Sequence, residues 1–227
     1  MTEAVWQTCE DPKPMLDYIQ ARASPRKLRL FLVACARLVW DFIPVDEARQ
    51  AVEVAERYAD GLASEDDRDR ASKSLWTLPV AGASAGQYAV AASSGAIHDR
   101  PRSRALDESL AYLCAQLTVH RLATSHLTSL ATWAAAQAAI RAEQPAMLHE
   151  IFGNPFRPIA FPPSWRPDTA LTHARQMYEA RDFSAMPILA DALQDAGCDS
   201  ADILDHCRGP GPHVRGCWVV DLVLGKE

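Results

Sequence analysis

The sequence predicts an all-α fold, on three observations. Apolar residues recur at steps of three and four, Ala and Leu are in excess, and the alternation typical of half-buried strands is nearly absent. Of 227 residues, 48% are hydrophobic and 23% charged, an ordinary globular balance that argues against disorder and against a disulfide-dependent miniprotein. The expected architecture is an irregular multi-helix domain with a Pro-rich strap and a C-terminal helical subdomain. A helical lobe covers 1–152, a Pro/aromatic strap covers 153–168, and a second lobe over 169–227 packs on the first.

Taken in order, Asp11-Pro12 starts a short helix through Tyr18, and Ser24-Pro25 supplies an N-cap followed by proline at the first helical position. The second helix then runs to about Phe42, with Leu28, Leu32, Cys35 and Val39 on one face, so Cys35 reads as core. Asp46 caps a third helix carrying Ala48, Val52, Ala55, Ala59 and Leu62, with Gly61 near its C-cap. Ser64 opens a helix through Trp76. Small residues from Ala81 to Ala96 suit close helix packing. His98–Arg104, with three arginines and a proline, reads as an exposed loop before the longest helix, about Ala105–Glu143, whose seam includes Leu113, Leu117, His120 and Thr124.

Composition breaks at Gly153–Asp168, where five prolines in sixteen residues exclude a continuous helix. With Phe156, Phe161 and Trp165 aboard, this segment is expected to lie across a surface with its aromatics largely buried. Beyond it, Asp168 caps a helix to about Arg181 and Ser184 caps another to Ala196, stopped by Gly197. Asp199 or Ser200 caps a segment to Cys207. The apolar run CWVVDLVLG after the turn RGPGPHVRG fits a buried helix or a strand, and helical context favours the helix.

A net charge of −6 and a pI near 5.6 repel polyphosphates, so nucleic acid is not an expected partner. No uninterrupted apolar stretch reaches the roughly 18 residues that a spanning helix requires, which predicts no membrane insertion. The first residues lack the basic-then-apolar pattern of a secretory signal, and the expected location is cytoplasmic. There the six cysteines read as thiols, and no two have CxxC spacing.

The densest chemistry lies in Cys198, His206, Cys207, His213 and Cys217, five soft or borderline donors within twenty residues. Zinc accepts such a set, and Cys198, Cys207, His213 and Cys217 are the candidate ligands. The competing reading packs the thiols as small apolar residues. Adjacent helical residues diverge by about 100 degrees, so His206 is poorly placed to activate Cys207 as a nucleophile. The turn from Arg208 to Gly216 presents Arg208, His213 and Arg215 around tightly turning backbone near Trp218, a place suited to an anion. Pairing of its arginines with Asp191, Asp195, Asp199, Asp202 or Asp205 is the plainer alternative. Phe156 and Arg157 of the strap are the residue types that anchor protein interfaces.

The stretches MTEAVWQTCEDPKPML, SPRKLRLFLVACAR, AVEVAERYADG, IFGNPFRP, ILADALQDAGC and HCRGPGPHVRGCWVVDLVLGK together resemble a large bacterial protein family abundant in planctomycetes. The resemblance spans nearly the whole chain, strongest over the final forty residues and weakest over about 64–104. That family has no assigned activity or catalytic residues, so the resemblance transfers no site.

The sequence therefore favours a non-enzymatic, helical protein-interaction module without a cofactor, docking an unidentified protein through the strap or the C-terminal turn. Two alternatives stand beside it. One is a zinc-binding protein built on the C-terminal Cys/His cluster, the other an enzyme acting on an anionic small molecule through Arg208, His213 and Arg215.

Overall fold

The computed structural model describes residues 1–38, 40, 46–76 and 142–226. The expectations for 81–96, 98–104 and nearly all of 105–143 lie outside these residues, as does the continuation of the second helix toward Phe42. Among the described residues the regular structure is entirely helical, as the sequence predicts. None of these helices is long and apolar enough to cross a membrane. The chain divides into two compact units, Met1–Leu148 and His149–Glu227. The strap therefore belongs to the C-terminal unit, together with the last turn of the helix before it.

In the first unit, α1 (Glu3–Thr8) begins at Thr2, whose hydroxyl accepts the Val5 N–H. This helix was not among those expected from the sequence. In α2 (Pro12–Ile19), the Asp11 carboxylate accepts the Lys13 N–H, satisfying one of the donors that a helix start leaves unpaired. The α3 helix (Pro25–Leu38) buries Leu28, Leu32 and Cys35 as expected, but burial is not confined to their face, since every residue from Leu28 to Ala36 is buried. It packs on α4 (Asp46–Ala59), which packs in turn on α5 (Glu65–Trp76). The start of α5 is a reciprocal capping box: Ser64 Oγ accepts the Asp67 N–H while the Asp67 carboxylate accepts both the N–H and the hydroxyl of Ser64. Hydrogen bonds from the Ser64 backbone and hydroxyl hold the Asp67 carboxyl below its usual range.

A buried ion pair ties α3 to α4, beside a second from Arg26 of α3 to Asp60 just after α4. Arg37 donates from Nε and Nη2 to the two oxygens of Glu56 at 3.2 and 2.9 Å. Glu56 is buried, and the fork of two parallel bonds supplies the partners its oxygens lost on leaving water.

The C-terminal unit begins within α6 (142–152) and continues through a 3-10 turn at Pro163–Trp165. It ends with α7 (Asp168–Ala180), α8 (Met186–Asp195), α9 (Ala201–Arg208) and α10 (Trp218–Leu224). Helices α7 and α8, α8 and α9, and α7 and α10 pack pairwise around a core of Ala170, Ala174, Met177, Leu189, Leu193, Ile203, Val219 and Val223. Two capping expectations shift slightly. Pro167, not Asp168, is the N-cap of α7, and the side chain that holds the turn before α8 is Asp182, which accepts the Ser184 N–H. The run WVVDLVL is helical because its apolar residues fall on a buried face and Gly225 closes it in the left-handed conformation.

The strap is an ordered part of this unit. Phe161 and Trp165 meet edge to face at 5.6 Å and pack on the core half-buried. Arg166 lies over the Phe161 ring and donates through Nε and Nη2 to the carbonyl of Leu222 at the end of α10. Phe156 is half-buried and its N–H is held by Asn154 Oδ1; Arg157, exposed, closes the same turn by donating its N–H to the Asn154 carbonyl.

Candidate metal centre

Four side chains of the C-terminal unit converge. Glu150 comes from the last turn of α6, His206 from α9, His213 from the turn between α9 and α10, and Cys217 from the N-cap of α10. One donor atom from each lies within 4.8 Å of every other.

The turn places His213 by backbone geometry. Gly211 has φ +83°, and a Cβ there would sit 2.8 Å from the His213 nitrogen, so only glycine fits. Glu150 then ties the turn to α6: Oε1 accepts the Val214 N–H at 3.2 Å, while Oε2 faces His213 Nδ1 and His206 Nε2, each at 3.2 Å. The far nitrogen of His213 faces the Gly209 carbonyl at 3.4 Å, and His206 Nε2 lies 3.3 Å from Cys217 Sγ. Behind His206, the Trp218 indole N–H donates to Nδ1 at 3.2 Å.

Burial pushes the Glu150 carboxyl up, but the hydrogen bonds and charges of His206 and His213 outweigh it and leave it below its ordinary value. For His213, burial lowers the imidazole, and the Glu150 bond and charge overcome that to raise it. Both neighbours of the His213 nitrogens are oxygens, which accept and never donate, so the surroundings favour the protonated ring. Burial, with the Glu150 charge, drives the Cys217 thiol well above its ordinary value.

The same separations suit a tetrahedral ion. Zinc bonds of about 2.0–2.3 Å imply edges of about 3.3 Å between nitrogen and oxygen and about 3.6 Å between nitrogen and sulfur. Three of the six separations, 3.2, 3.2 and 3.3 Å, lie close to those edges, and the other three fall within 4.8 Å, so the group would draw in to enclose an ion. The Gly209 carbonyl fits as well, since a ligating histidine characteristically donates its other N–H to such an acceptor.

Of the ligands expected from sequence, His213 and Cys217 join this group and Cys198 and Cys207 do not. Cys207 shares the inner face of α9 with Ile203, four positions earlier, and packs in the core, where burial and the Glu150 charge push its thiol up to about 12. Cys198 follows Gly197 into the same core. The residues that converge with His213 and Cys217 are His206 and Glu150. His206 was legible from the periodicity that buries Ile203 and Cys207, because the neighbouring residue must then point to the edge of the core. Glu150 carries no local signal, lying 63 positions from His213.

The anion-site residues part company. Arg208 donates to Asp191 and Gln194 on α8, the acidic pairing weighed above. Arg215 donates to the carbonyls of Tyr178 and Glu179 at the end of α7, with its guanidinium over the Tyr178 ring. Trp218 lies at the cluster, behind His206. No protein-family model, curated protein or solved structure matches the chain.

Proposed function

We propose that the C-terminal unit is a zinc-clamped helical module in which Glu150, His206, His213 and Cys217 hold one ion. The observation that carries this is the convergence of four donors of zinc-compatible chemistry, two imidazoles, a carboxylate and a thiol, from four separate places in the unit. Charge balance supports it. Without metal, the Glu150 carboxylate is matched by the His213 imidazolium beside a neutral thiol; with Zn²⁺, carboxylate and thiolate match the ion beside two neutral imidazoles. The exchange is one Zn²⁺ in and two protons out, from His213 and Cys217, and leaves the buried cluster neutral both ways.

Four protein donors fill a tetrahedral shell and leave no position for water or substrate, which is the character of a structural site. The clamp then joins α6, α9, the turn and α10, bridging elements far apart in sequence. An enzyme acting on an anion is the weaker reading, because Arg208 and Arg215 are spent on Asp191 and on the α7 carbonyls.

Titration of the full chain with Co²⁺, a spectroscopically visible stand-in for zinc, tests the proposal. Thiolate-to-cobalt absorption and tetrahedral ligand-field bands are expected at one equivalent, with the thiolate band lost in Cys217→Ser. A folded wild-type protein that gives neither band contradicts the clamp and leaves the cluster as a hydrogen-bonded buried carboxylate.

A further inference from the structure

We infer that Trp218 sets the metal affinity of this site by holding His206 in the hydrogen arrangement that cannot ligate; the inference rests on the zinc-clamp reading. The indole nitrogen is only ever a donor, so the ring nitrogen it faces, His206 Nδ1, must accept. A neutral imidazole that accepts at Nδ1 carries its hydrogen at Nε2. That hydrogen points toward Glu150 Oε2 and Cys217 Sγ, at 3.2 and 3.3 Å.

An ion needs the Nε2 lone pair. Its arrival therefore moves the ring hydrogen to Nδ1, where it would meet the Trp218 N–H head on at a separation of 3.2 Å. Two donors cannot share that contact, so the indole must turn or withdraw as the ion enters. The ring has little freedom to do so on its inner side. Gly153 lies so close that a Cβ there would sit 3.0 Å from Trp218 Cγ and Cδ2. His213 shows the opposite arrangement: its outer nitrogen faces a carbonyl, which supports ligation through Nδ1. One histidine is thus set for metal and the other set against it, and Trp218 is the residue that makes the difference.

The experiment compares the full-length wild-type chain with Trp218→Phe, which keeps an aromatic ring against Gly153 and removes the N–H. Zinc affinity is read by competition with a chromophoric chelator. Loss of one opposing hydrogen bond is expected to tighten binding by roughly 2- to 10-fold. A second readout needs no variant. Nitrogen-15 NMR of the wild-type imidazoles should show His206 protonated at Nε2 without metal and at Nδ1 with zinc, and the Trp218 indole proton should lose its hydrogen-bonded shift on zinc addition. Equal or weaker zinc binding by Trp218→Phe overturns the role of Trp218 while leaving the clamp standing, as does a metal-free His206 already protonated at Nδ1. Failure of both proteins to take up zinc overturns the clamp, and this inference with it.

Discussion

Glu56 in the first unit and Glu150 in the second are both buried glutamates, and the chain answers them in different ways. Glu56 meets the Arg37 guanidinium, which donates to both its oxygens and stays protonated at any pH the fold survives. Glu150 meets two imidazoles, a backbone N–H and a nearby thiol. His213 and Cys217 can surrender a proton and His206 can shift its ring hydrogen to Nδ1, and each then offers a lone pair. The first arrangement is a fixed tie. The second is a set of partners that a divalent cation could replace without leaving a buried charge unanswered, and that difference in partner chemistry is what separates a structural ion pair from a candidate metal site.

Removing metal should separate the two units most sharply. With free zinc at 1,000 times its dissociation constant, the proposed clamp would add about 4 kcal/mol to the stability of the form that binds it. Chelation is therefore expected to lose that amount from the amides of α9 and α10 in hydrogen exchange, while α3 and α4 keep their protection. Equal loss in both units would mean the clamp is not local to the second.

Acidity sharpens the contrast next. In the proposed clamp, metal entry would displace protons from His213 and Cys217, both held above their ordinary values. Zinc affinity should consequently fall about 100-fold per pH unit below the His213 value and about tenfold per unit between the His213 and Cys217 values, measurable by chelator competition across pH. In the metal-free protein the signs differ between the partners. The lowered carboxyl of Glu150 contributes stability above its ordinary 4.5 that is lost as pH falls through its folded value. The raised imidazole of His213 contributes stability below its ordinary 6.5 that is lost as pH rises through its folded value. The pair is therefore at full strength between those two ordinary values.

Breaking the fixed tie should cost less and ignore metal. Glu56→Gln is expected to destabilise by about 1.5–3 kcal/mol, the usual worth of a hydrogen bond to a charged group, equally with and without zinc. A zinc-dependent cost in urea denaturation would show that the two units are coupled. Smallest of all, Arg208→Ala should lie within about 0.5 kcal/mol of wild type, because its pair with Asp191 is exposed on both sides, at 42% and 72%. A larger loss, read by the same denaturation, would make Arg208 more than a surface tie.

Helices were legible because their signals are local. Asp11 before a proline and Ser64 at the head of its helix each act within one turn of where they stand, and each does in the structure what its chemistry implies. Half of the cluster was legible for the same reason, since His213 and Cys217 flank one tight turn. The rest was not. Choosing Cys207 over His206 favoured the softer ligand and overlooked that Ile203 and Cys207 share a buried helix face. Glu150 depends on α6 reaching the turn, a contact made by the tertiary fold. The arginines of that turn read as recognition residues because guanidinium chemistry is the same whether it meets a ligand or a carbonyl at the end of α7.

Native mass spectrometry of the full chain, expressed in zinc-containing medium and purified without chelator, tests the central claim most directly. The account predicts one zinc ion per chain, confirmed by elemental analysis and absent from a folded His213→Ala variant. Metal-free wild-type protein that stays metal-free when zinc is supplied, or zinc retained in full by His213→Ala, would contradict it.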